Sequence, residues 1–126
     1  TINYLRILFH ILTLLLIILS LFPGSILGFL LYGDSRLQPQ ITKDFLHISS
    51  QHLYVYFLIS ALGFFSYLQD RKFKLVVIYL FFLSIILEVL HLVISERSFQ
   101  TSDLAGNILG VLIAYIVVLI YKFWKK

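Results

Sequence analysis

The chain has no cysteine and no methionine, only two prolines, and little charge: 13% of its 126 residues are Asp, Glu, Lys or Arg. Without cysteine there is no disulfide, zinc–thiolate site, iron–sulfur cluster or thiol nucleophile. The absence of methionine even at position 1 marks Thr1 as a trimmed or incomplete start. Soluble domains run about 45–50% apolar and about 25% charged. This chain is 60% hydrophobic with a mean hydropathy of +0.98 and does not fit a water-soluble globule. Serine-hydrolase and phosphate-loop signatures are missing as well.

What remains is long apolar runs. No Asp, Glu, Lys or Arg occurs over 7–33, 45–69, 75–87 or 104–121. A bilayer core about 30 Å thick takes roughly 20 helical residues. Four spans follow, at 5–22, 52–68, 75–94 and 104–121, the second being the shortest. The segment 26–32 is too short to cross and too apolar for water, so it reads as interfacial or re-entrant. The first span is longer than a signal-peptide core and lacks a small-x-small cleavage site, so it reads as a retained helix. The expected fold is all-α, a four-helix transmembrane bundle forming a single domain over 1–126.

Orientation follows from the basic residues. With four spans, Arg6, Arg71, Lys72, Lys74, Lys122, Lys125 and Lys126 share one side, and Arg36, Lys43 and Arg97 share the other. The positive-inside rule then places both termini in the cytoplasm. Tyr121, Phe123 and Trp124 beside the terminal lysines form an aromatic anchor. The net charge of +4 belongs to topology and contact with anionic lipid, and no nucleic-acid partner is expected.

The few polar residues inside the spans carry the functional information. Glu88 lies six residues before the end of the third span, about 9 Å along the helix. A carboxylate at that depth has to face protein or water, and His91 shares its face at i+3. A short loop with Arg97 follows, and then Asp103, Asn107 and Gly110 fall on one helical stripe. Gly106, Gly110 and Ala114 make a small-xxx-small ridge suited to close helix packing. His52 and Tyr56 form an i, i+4 pair at the start of the second span.

The string Glu88-x-x-His91, Arg97-Ser98-Phe99, Asp103-x-x-x-Asn107-x-x-Gly110 resembles the second half of VanZ-like membrane proteins. His52-x-x-x-Tyr56 resembles part of that family's first-half signature, with Ile48 and Ser49 where the family has Asp-Lys, and His91 stands where it has Gln. The resemblance implies the four-helix topology and a polar site near the outer leaflet. The family name implies a role in glycopeptide (teicoplanin) resistance.

For each polar residue a structural reading stands beside the functional one. Glu88 with Arg97 forms either a headgroup-binding site or an ion pair tying a helix to its loop. Asp103 reads as a helix N-cap, Asn107 as an interhelical hydrogen bond, and His10 as a hydrogen-bonded packing residue. His52, His91 and Glu88 are a chemically adequate ligand set on helices that need not converge, so no metal and no cofactor are expected. Three functions remain open: binding of an envelope molecule or lipid headgroup, an accessory subunit of a larger membrane assembly, and an enzyme on lipid-linked substrates with Glu88 as base. Membrane lipids are the expected partners, with other membrane subunits in the second case.

Overall fold

In the computed structural model, residues 2–21, 26–34, 48–94 and 99–125 are described. The elements among them are helices: α1 (Ile2–Leu21), α2 (Ile26–Tyr32), α3 (Ser50–Ser66), α4 (Phe73–Val89), a 3-10 turn (Leu90–Leu92) and α5 (Thr101–Trp124). Three stretches are long and apolar enough to cross a membrane: Ile2–Leu21, Phe73–Leu92 and Thr101–Trp124. α3, with 17 residues, is about 25 Å long at 1.5 Å per residue. The helices begin two or three residues before the expected spans because flanking polar residues continue the same backbone hydrogen bonding.

Several helix ends have a local cause. Ser49 caps α3, its side chain accepting a hydrogen bond from His52 N at 3.5 Å. After Ser66 the chain turns, and the Asp70 carboxylate accepts from Lys72 N at 2.8 Å, an Asx turn that launches α4. Gly33, at φ 71°, closes α2 with its N–H on Phe29 O at 2.9 Å, in a left-handed conformation that disfavours a Cβ. The exposed positions on α1, α4 and α5 are overwhelmingly Leu, Ile, Val and Phe, the surface expected against lipid.

α3 and α5 pack closest. A Cβ on Gly106 would lie 2.5 Å from Ser49 O, and one on Gly110 would lie 2.6 Å from Leu53 O. These two glycines and the fully buried Ala114 therefore let the α5 backbone meet that of α3. Below this contact an aromatic cluster fills the core: Phe64 meets Phe73 and Tyr115 edge-on, with centroids 5.8 Å apart in both cases. Several buried hydroxyls bond carbonyls of their own helices, as Thr13 Oγ1 does to Phe9 O at 2.7 Å and Ser84 Oγ to Phe81 O at 2.6 Å, whereas Ser60 Oγ has no partner among the described residues.

The polar residues segregate to the two ends. At one end the Arg6 Nη2 meets Asp70 Oδ2 at 3.1 Å, its Nε donates to Ser66 O at 2.9 Å, and its guanidinium lies 4.4 Å from the Tyr67 ring centroid. At the other end the C-terminal end of α1, the N-terminal end of α3, the 3-10 turn after α4 and the N-terminal end of α5 come together.

Candidate functional site

The second polar end is built around Glu88, which is 0% exposed. Its Oε2 accepts from Gln100 N at 3.0 Å and faces His91 Nδ1 at 3.2 Å. The 3-10 turn carries His91 inward, where Nε2 donates to Ser20 O at 3.0 Å and so joins α1 to the cluster. Glu88 Oε1 is buried and has no hydrogen-bond partner among the described residues. A buried oxygen left unpaired costs roughly 1–3 kcal/mol, and more when charged.

His52 and Asp103 form the open side of the cluster. Their side chains are 19% and 20% exposed, with Nε2 and Oδ1 3.7 Å apart. Asn107, almost fully buried, connects three helices. Its Nδ2 donates to Ser84 O at 3.1 Å, which leaves Oδ1 as the acceptor 2.7 Å from His52 Nδ1. His52 therefore carries its hydrogen on Nδ1 and presents Nε2 towards Asp103.

The charged groups converge. One donor atom each from His52, Glu88 and Asp103 lies within 4.8 Å of the others. Two ionised carboxylates at that 4.8 Å limit repel by about 3 kcal/mol at an effective dielectric near 20. Such a pair persists only where something of opposite charge offsets it.

Most of the polar residues expected from the sequence meet here: Glu88, His91, Asp103, Asn107 and His52, with Tyr56 buried one turn below His52. Arg97 lies outside the described residues. Gly106, Gly110 and Ala114 line the α3–α5 contact. One expectation is corrected. Asp103 is not the N-cap of α5. Gln100 occupies that position without a side-chain cap, and Asp103, in the first turn, points to His52 because the helix starts earlier. His91 does not join His52 and Glu88 in that three-group convergence. Both His91 nitrogens are engaged by oxygen acceptors, and Asp103 takes its place beside His52 and Glu88. His10 bonds Tyr67 Oη at 2.9 Å, at the opposite end and on the surface.

Sequence reasoning missed the backbone partners Ser20 O, Ser84 O and Gln100 N, which carry no side-chain signature. Ser84, four residues before Glu88 in an apolar span, was the available hint. The Arg6–Asp70 clasp was also missed, although both residues fall on the same side in the expected topology. Comparison with protein-family models, characterised proteins and solved structures finds no match to the chain.

Proposed function

We propose that the chain is a small VanZ-like integral membrane protein of the bacterial inner membrane. α1, α3, α4 and α5 cross as a four-helix bundle with both termini cytoplasmic, and α2 lies at or dips into the outer interface. The cluster of Glu88, His91, Asp103, Asn107 and His52 then opens towards the outer leaflet and binds the polar head of a lipid or envelope molecule, with Arg97 of the adjoining loop supplying a cation for a phosphate or carboxylate.

One observation carries this reading. Glu88 Oε1 is buried without a partner beside the half-open His52 and Asp103. A buried carboxylate oxygen left without a partner is costly in a cluster that only fixes the helices, whereas a ligand site keeps acceptor capacity free.

The test is native mass spectrometry of the protein released from its own membrane in mild detergent. The expected result is a polar lipid or lipid-linked precursor retained one to one and lost from His52→Gln and Asp103→Asn while helical content is unchanged. Identical retained lipids in wild type and both variants would refute the reading.

The accessory-subunit reading rests on a different observation. α1 buries only Phe9 and Thr13, so most of its apolar surface is free for another membrane protein. Stoichiometric recovery with other subunits in the same preparation would favour it, and the polar cluster would then serve only to stabilise the bundle.

A further inference from the structure

We infer that His52, Glu88 and Asp103 form a binding site for a divalent metal ion, held by one imidazole nitrogen and two carboxylate oxygens with at least one coordination position open to the exposed side. This runs against the absence of a metal expected from the sequence. It also stands without the headgroup reading, because it concerns the ion alone.

Three independent features of the structure converge on it. First, the three groups come from three different helices, α3, α4 and α5, and still place donor atoms within 4.8 Å of one another. The His52 Nε2 to Asp103 Oδ1 distance of 3.7 Å is already near the roughly 3.4 Å between neighbouring ligands of a tetrahedral ion with bonds of about 2.0–2.2 Å. Second, Glu88 Oε1 is fully buried and unpartnered among the described residues, while Oε2 is held by Gln100 N and His91. One oxygen orients the carboxylate and the other is left to bind. Third, the chain from Ser84 O through Asn107 to His52 Nδ1 fixes the ring so that Nε2 points into the cluster. Metal-bound histidines are held in the same way, donating their second ring N–H to an oxygen acceptor.

The donor set defines the class of ion. One borderline nitrogen and two hard oxygens, in a chain without cysteine or methionine, suit Zn²⁺ or Mn²⁺ and not a soft ion such as Cu(I). Three protein ligands fall short of the six to eight oxygens that Ca²⁺ takes. Three ligands with a position open on the side where His52 and Asp103 meet solvent is the pattern of a site that binds or activates something, whereas a closed structural site has four. The ion would also offset the repulsion between the two carboxylates.

The test uses the full chain in detergent, stripped with a chelator, and titrated calorimetrically with Zn²⁺ and spectroscopically with Co²⁺. The expected result is one equivalent per chain, with visible Co²⁺ bands of a nitrogen–oxygen environment. Asp103→Asn and His52→Gln should weaken binding at least roughly ten-fold. Asn107→Leu, which touches no ligand position but releases His52 along with Ser84 O, should weaken it by about 10–100-fold in the folded protein. His10→Gln, at the opposite end, should leave it unchanged. Glu88→Gln is informative only if it folds, and Asp103→Asn, nearly isosteric and partly exposed, decides the question if it does not. No saturable uptake by folded wild-type protein would overturn the proposal, as would uptake unaffected by both Asp103→Asn and His52→Gln.

Discussion

Asn107 Oδ1 and His52 Nδ1 stand 2.7 Å apart, a partly buried side-chain bond from α5 to α3 beside the close backbone approach at Gly106 and Gly110. The same amide holds Ser84 O on α4, so one residue connects three helices. Interhelical hydrogen bonds in apolar surroundings average about 0.6 kcal/mol, and an orphaned buried partner adds to the loss. Asn107→Leu should therefore destabilise the protein by about 1–2 kcal/mol in thermal unfolding. A double-mutant cycle with His52→Leu should give a coupling of about 0.6–1.7 kcal/mol. Additive effects of the two substitutions would show that the bond contributes nothing.

Gly110→Ala tests the close contact directly. Its new Cβ would meet Leu53 O at 2.6 Å and Phe57 N at 2.9 Å, both backbone atoms of α3 that cannot turn away. Overpacking of this kind costs about 1–3 kcal/mol, and the upper half of that range is expected here. At Gly63 the corresponding neighbour is the Phe9 ring at 2.5 Å, a side chain that can tilt. Gly63→Ala should cost measurably less than Gly110→Ala in the same unfolding assay. The reverse order would place the rigid contact between α1 and α3.

The parts legible in the sequence are those governed by hydropathy and helical period. The uncharged runs located α1, α4 and α5, and even the short α2, because burial in an apolar medium leaves a compositional trace. The spacing of Asp103, Asn107 and Gly110 put them on one face, and they do lie along the side of α5 that meets α3. The partner of each group was not legible. Whether Glu88 faces His52 or only His91 depends on how α3 and α4 are rotated about their axes. That rotation is set by the glycine contact and by the 3-10 turn at Leu90–Leu92, neither of which has a periodic signature. Likewise, Asp103 looked like a helix cap only so long as α5 was taken to begin at Leu104.

At the opposite end, Asp70 links acidity to the packing of α1. The backbone N–H of Lys72 and the Arg6 guanidinium beside it hold its carboxyl below the ordinary carboxylate value. A lowered folded-state pKa contributes stability above the unfolded value, near 3.9, and that contribution is lost as pH falls through the folded value. The melting temperature should thus decline on acidification below about pH 4, and Asp70→Asn should flatten that part of the profile. Arg6→Gln should lower stability at neutral pH as well, since it also removes the Nε bond to Ser66 O and the contact with the Tyr67 ring. An unchanged acid limb in Asp70→Asn would assign the acid sensitivity to other groups.

Orientation can be read with single cysteines, because the native chain has none to compete. Gln69 and Gln100 are both exposed and lie at opposite ends, the first in the turn beside Asp70 and the second directly before α5. The Gln69 end carries Arg6, Arg71, Lys72, Lys74, Lys122 and Lys125, an excess of positive charge that the positive-inside rule assigns to the cytoplasmic side. In intact cells, a membrane-impermeant maleimide should therefore label Gln100→Cys and leave Gln69→Cys untouched until the membrane is opened. Gln100 contributes only its backbone N–H to Glu88, so the substitution leaves the cluster in place. Labelling of Gln69→Cys from outside would invert the topology. The open side of His52 and Asp103 would then face the cytoplasm, and an envelope ligand could no longer reach it.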